Sequence, residues 1–125
     1  MKEYHQFYIN GSWVDPINGL NKLVVLNPAT EEPIGSIALG SSEDVNAAVD
    51  AAKNAFASFI SSEKEERVGY LEKIIEIYMK RSSEMAEAIS SEMGAPMSLA
   101  SKAHSPSGLG HFMTALETLK NYDFE

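Results

Sequence analysis

Cysteine is absent from the 125 residues, which excludes a disulfide framework, a thiolate metal site and a cysteine nucleophile within this chain. Long apolar runs are missing as well. The longest aliphatic stretch, Leu23-Val24-Val25-Leu26, is far short of the roughly 20 residues that a membrane span requires, so no membrane partner is expected. The opening Met1-Lys2-Glu3-Tyr4-His5 lacks the apolar core of a secretory signal, and a cytoplasmic location is the simplest expectation. Positive charge is also scarce: 10 Lys and Arg stand against 18 Asp and Glu, a net charge of −8. A phosphate-backbone binder needs a basic face, so no nucleic-acid partner is expected.

What remains is ordinary for a soluble globular domain, with 44% hydrophobic and 22% charged residues. A chain of this length is near the size of one domain and can bury roughly two thirds of the surface its unfolded form exposes. Residues 1–40 read as short strands. Phe7-Tyr8-Ile9 and Ser12-Trp13-Val14 flank Asn10-Gly11, a pair suited to the positive φ angles of a type I′ hairpin turn. Leu23 to Leu26 is β-rich and is stopped by Asn27-Pro28-Ala29-Thr30; Ile34 to Leu39 follows. Together these predict a small antiparallel meander.

Residues 41–125 read as four to five helices, giving an α+β chain. Ser41 or Ser42 caps a segment whose Val45, Ala48, Val49, Ala52, Phe56 and Phe59 recur at helical spacing. Ser62-Glu63-Lys64-Glu65 fits a capping box for a second helix carrying Val68, Leu71, Ile74, Ile75, Tyr78 and Met79. Ser82-Ser83 interrupts that helix and opens a third, which Gly94 ends in a left-handed exit before Pro96. A further helix starts near Met97, with Pro106 either kinking it or standing at its first turn after a Ser105 cap. Leu109, Phe112, Met113, Leu116, Leu119 and Tyr122 form its apolar stripe.

Few residues point to chemistry. His104 and His111 are seven apart, but two imidazoles without a carboxylate or third ligand make a poor metal site. Glu92 lies in the last turn before Gly94, where the helix dipole disfavours negative charge; it is either a solvent-facing carboxylate or a cation ligand near Val25 and Leu26. Gly108-Leu109-Gly110 lacks a third glycine and a preceding strand, and no phosphate-binding loop or nucleophile elbow occurs. The residues alone reach an acidic α+β domain and no reaction.

Several blocks, taken in order, resemble one family. They are Phe7-Tyr8-Ile9-Asn10-Gly11-Ser12-Trp13, Asn27-Pro28-Ala29-Thr30-Glu31-Glu32-Pro33-Ile34-Gly35, Glu43-Asp44-Val45-Asn46-Ala47-Ala48-Val49-Asp50-Ala51-Ala52, Arg81-Ser82-Ser83-Glu84-Met85-Ala86 and Glu92-Met93-Gly94-Ala95-Pro96. Their order and spacing are similar to the amino-terminal portion of NAD(P)-dependent aldehyde dehydrogenases, from about Gln6 to Tyr122. Glu31 stands where the family often has glycine, Ala95 where it often has lysine, and Pro106 where its helix is usually uninterrupted.

The resemblance implies a parent protein that oxidises an aldehyde to a carboxylic acid with NAD or NADP. A cysteine thiolate attacks the aldehyde, an asparagine amide and a backbone N–H hold the oxyanion, and a glutamate activates water. Those residues belong to the family's downstream part, so residues 1–125 are expected to be one partial domain, inactive alone and binding no cofactor. In the family a monovalent cation is held by backbone carbonyls and a carboxylate at positions that match Val25, Leu26 and Glu92. The last helix approaches the substrate tunnel, which makes Phe112, Met113 and Leu116 candidate lining residues against the plainer reading that they are core. The resemblance also implies exposed apolar faces and self-association in the isolated segment. The competing reading is a free-standing helical binding or scaffold module derived from that segment; a small hydrolase using His104 or His111 is a third.

Overall fold

The computed structural model describes residues 1–124, which divide into two units, 1–61 and 62–124. The first unit holds all the strands: β1 (Lys2–Tyr4), β2 (Phe7–Ile9), β3 (Ser12–Val14), β4 (Lys22–Leu26) and β5 (Pro33–Ala38). It ends with α1 (Ser42–Phe59). Strands β2 and β3 form the expected hairpin, with Ile9 opposite Ser12 and the turn residues Asn10 and Gly11 at φ 52° and 78°. Strands β4 and β5 pair antiparallel across the turn that begins at Asn27-Pro28. The structure adds an element that the sequence pattern did not reveal: Lys2–Tyr4 pairs parallel with Gly35–Ile37, giving a sheet of order β1-β5-β4 separate from the hairpin. His5 joins the same edge, its Nε2 lying 2.7 Å from the buried Ser36 hydroxyl.

The capping box lies at α1. The Ser41 hydroxyl accepts from the Asp44 backbone N–H while the Asp44 carboxylate accepts from the Ser41 N–H, which satisfies two end donors reciprocally. The other carboxylate oxygen of Asp44 accepts the Ile17 N–H at 2.9 Å, tying the Asp15–Gly19 loop to the helix start. Helix α2 (Lys64–Lys80), by contrast, starts after Glu63 with no side-chain cap, so the box expected at Ser62 does not form. Ser62 stands one residue outside the cap position, and its hydroxyl instead accepts from Arg67 Nε at 2.8 Å.

In the second unit, α2 is followed by α3 (Ser82–Met93), which Gly94 ends at φ 69° as expected. A short α4 (Met97–Leu99) leads into a π-helical turn, Ala100–His104, and then α5 (Ser105–Asn121). This turn settles the place of Pro106. A proline in a regular helix removes a donor and drives its ring against the carbonyl four residues earlier; the wider π turn relieves the clash. Ser105 is therefore helical and caps nothing; its hydroxyl donates to the Ser82 carbonyl at 3.0 Å. Helices α2 and α5 pack through half-buried Val68, Leu71, Ile75 and Tyr78 on one side and Leu109, Phe112, Leu116 and Leu119 on the other. Ion pairs Glu72–Lys120 and Glu76–Lys80 flank them.

Burial departs from the sequence expectation. Among the described residues only Ala86 and Ala100 are fully buried hydrophobics. The expected α1 stripe is largely uncovered: Val45, Val49, Phe56 and Phe59 are exposed, and Ala47, Ala48 and Ala51 are the half-buried positions. Ile74, Met79, Met85 and Met93 are likewise exposed, because their own unit supplies nothing to cover them. The accessible surface is 9146 Å². Two compact bodies of half this mass would each expose only about 4,000 Å².

Asp44 gives a test. Bonds from the Ile17 N–H and from Ser41 hold its carboxyl below the ordinary 3.8. A depressed folded pKa means that its stabilisation is complete above the ordinary value and is lost as the pH falls through the folded one. In the full-length polypeptide, Asp44→Asn is expected to lower the urea midpoint at neutral pH and to leave a smaller difference from wild type at about pH 3. Ser41→Ala should cost about 1 kcal/mol at neutral pH and less at about pH 3, because the Ser41 hydroxyl is one of the groups that favour the charged Asp44 carboxylate.

Candidate functional site

The candidate cation ligands start from an irregular strand end. The pairing of β4 with β5 shifts register between Val25 and Leu26, and Leu26 faces Pro33, which has no N–H to give the ladder. The turn that follows is closed by Asn27. Its side-chain oxygen accepts the Ala29 N–H at 2.9 Å, its backbone oxygen accepts the Glu31 N–H at 2.7 Å, and its own N–H donates to Glu32 at 2.9 Å. Glu31 takes φ 61°, a left-handed conformation that favours glycine. Val25 is half-buried and Leu26 exposed in the first unit; Glu92 is exposed near the end of α3 in the second. Two carbonyls and a carboxylate are hard oxygen donors suited to an alkali or alkaline-earth cation. No group of three or more His, Cys, Asp or Glu side chains gathers among the described residues.

The three candidate tunnel residues separate on α5. Phe112 and Leu116 are half-buried on the face packed against α2, and the Phe112 ring lies 5.9 Å from that of Tyr78. Met113 is 55% exposed. Beside them α2, α3, the π turn and α5 enclose an open cleft of about 370 Å³, lined by Tyr78, Met79, Ser82, Ala86, Ser105 and Leu109 among others. Its floor is held by the Tyr78 hydroxyl donating to the Ser105 carbonyl at 2.9 Å. Gly108 permits this approach, because a Cβ there would overlap the Tyr78 hydroxyl. Sequence reading placed Tyr78 among the apolar positions of the second helix and missed this role; the signal was Gly108 inside an otherwise helical stripe.

The remaining candidates are dispersed. His104 has a buried Nδ1 without a partner among the described residues, His111 is exposed, and His5 bonds the Ser36 hydroxyl on β5. Gly108 and Gly110 sit inside α5 and not at a strand-to-helix turn, so the glycines here form no dinucleotide cradle.

The pattern of the aldehyde dehydrogenase family matches residues 13–125. The chain belongs to that family. It is 44% identical over 126 residues to a 3-succinoylsemialdehyde-pyridine dehydrogenase of a Pseudomonas species, a match covering all of this chain and 26% of that protein. Among solved structures, an aldehyde dehydrogenase from Bartonella henselae superposes with a TM-score of 0.96 at 44% identity, over 99% of this chain and 26% of the other. A variant of aldehyde dehydrogenase C from Pseudomonas syringae, in complex with NAD+ and octanal, gives 0.92 at 39% identity, over 96% and 24%. The chain thus spans about a quarter of the length of the relatives it matches, as an amino-terminal segment of the family. The α+β order of strands followed by helices is that of the matching part of those structures. Among the described residues no helix is long and apolar enough to cross a membrane.

The Tyr78–Gly108 contact predicts a coupled pair. In the full-length polypeptide Tyr78→Phe should cost about 1 kcal/mol, one hydrogen bond, and Gly108→Ala about 1–3 kcal/mol, the usual cost of overpacking. The double variant should be less destabilised than the sum, because phenylalanine has no hydroxyl to clash; urea melts of the four proteins measure the coupling.

Proposed function

We propose that this chain serves as the amino-terminal quarter of an NAD(P)-dependent aldehyde dehydrogenase, whose complete polypeptide oxidises an aldehyde to the carboxylic acid. The observation that carries this reading is the match over the whole chain against only a quarter of each relative, joined to apolar faces that neither unit covers itself. Residues 1–125 then form part of one domain, with the strands of 1–40 and the helices of 41–125 covered by the remainder. The nucleophile, the general base and the dinucleotide site lie in that remainder, since these residues contain no cysteine and no glycine cradle. The cofactor, NAD or NADP, supplies the hydride acceptor there. The cytoplasm is the proposed location.

Within this scheme, and by the family resemblance, Val25 and Leu26 are proposed as carbonyl ligands and Glu92 as a carboxylate ligand of a monovalent cation in the complete protein. Support comes from the ladder defect at Leu26–Pro33 and from the exposed carboxylate of Glu92. Met113, exposed beside the packed Phe112 and Leu116, is the residue proposed to face the aldehyde tunnel, with the other two backing it.

The reading is tested by assaying NAD(P)H production with short and long aldehydes. The complete polypeptide should turn over, whereas residues 1–125 alone should show no turnover and no micromolar NAD binding, and should bind hydrophobic dye and self-associate. A monodisperse, cooperatively melting chain that leaves the dye dark would favour the scaffold module instead. In the same assay Met113→Ala should change KM for long aldehydes several-fold while leaving the melting temperature in place.

The cation proposal has its own readout. Potassium should raise the melting temperature of the complete protein relative to a buffer of large organic cations, and Glu92→Ala should abolish most of that difference. Equal melting shifts in the two buffers would remove Glu92 from the site.

A further inference from the structure

The chain contains two Asn-Gly pairs, Asn10-Gly11 and Asn18-Gly19, and the structure places them in opposite situations. Such pairs are where an asparagine amide is most open to attack by the next backbone nitrogen, because glycine puts no side chain in the way. Sterically the two are alike: both glycines have positive φ, 78° and 79°, and a Cβ at either would meet nothing within 4 Å. They differ in hydrogen bonding. The Asn18 amide donates to Glu43 Oε2 at 2.8 Å, and the Gly19 N–H donates to the Pro16 carbonyl at 3.3 Å. Both reacting groups are thereby engaged, and the Glu43 carboxyl is held below its usual range by bonds at the start of α1, so it stays a charged acceptor. Asn10 is exposed, and its side chain has no hydrogen-bond partner among the described residues. The hairpin ladder ends at Ile9–Ser12, which leaves the Gly11 N–H outside it.

We propose that Asn10 is a site of spontaneous covalent modification, converting to aspartate and β-linked aspartate while Asn18 is protected. The deprotonated Gly11 nitrogen bonds to Cγ of Asn10, the C–N bond of the amide breaks, and ammonia leaves with the proton given up by Gly11. Water then opens the five-membered imide at either carbonyl, so that overall the asparagine and one water become an acid and one ammonia. No oxidant or reductant enters. The β-linked product adds a main-chain carbon and a negative charge to a turn of two residues, and the Ile9–Ser12 pairing, which needs that turn length, is lost.

The test is peptide mapping by mass spectrometry of the purified full-length polypeptide, aged at mildly alkaline pH and physiological temperature. Synthetic peptides covering residues 6–14 and 15–22 serve as unfolded references. The two peptides should convert at similar rates. In the folded protein Asn10 should convert about tenfold faster than Asn18 or more, the factor that a charge-assisted hydrogen bond of ordinary strength supplies. Glu43→Ala should raise the rate at Asn18 and leave Asn10 unchanged. Equal rates at the two sites in the folded protein would overturn the proposal, as would conversion confined to the Asn10 peptide with none in the protein.

Discussion

Every helix of this chain carries more apolar surface than its own unit can cover, and the rest of the structure follows from that constraint. Two alanines are the only fully buried hydrophobics among the described residues, while Val45, Val49, Phe56 and Phe59 on α1 stand in the open. Burial of apolar area is the main favourable term in folding, at about 25 cal/mol per Å², so faces left uncovered leave much of that term unrealised. What holds each unit locally is therefore polar and geometric. The reciprocal Ser41–Asp44 cap carries the Ile17 loop, and Tyr78 ties α2 to the Ser105 carbonyl.

These two polar devices occupy equivalent roles in the two units. Each fixes a helix against a neighbouring segment where side-chain packing is thin. Each also depends on a small residue or turn that lets the partners approach: the Asp15–Gly19 loop for Asp44, and Gly108 for Tyr78. A chain whose packing is completed by further surface needs such anchors, because the apolar stripes by themselves do not specify which face meets which.

Much of the fold was legible because its signals are local. Asn10-Gly11 dictates the hairpin turn, Asn27-Pro28 stops β4, and Gly94 ends α3 in the left-handed region. The parallel pairing of Lys2–Tyr4 with β5 was not legible, since a three-residue edge strand has no periodicity and its partner lies some thirty residues away. The cap at Ser62 was misread because hydroxyl and carboxylate recur at capping spacing one residue out of phase with the true start at Lys64. Helical period located the stripe on α5 but did not divide it. Phe112 and Leu116 sit on the α2 side, and Met113, next in sequence to Phe112, is carried about 100° around the axis. The candidate cation ligands were readable only through resemblance, because backbone carbonyls leave no mark in side-chain patterns.

Glu31 shows how the two kinds of evidence constrain each other. Resemblance marks its position as one where glycine is usual; the structure gives it φ 61°, where a Cβ costs roughly 1–2 kcal/mol. The turn is nevertheless kept, because Asn27 binds it at three points and Pro33 prevents the ladder from extending through it. A turn held against its own residue preference indicates that its shape matters more than its local stability. It is this turn that presents the end of β4, with the Val25 and Leu26 carbonyls, in the irregular form a cation site would use. Strain at Glu31 and the ladder defect at Leu26 are thus two consequences of one backbone shape.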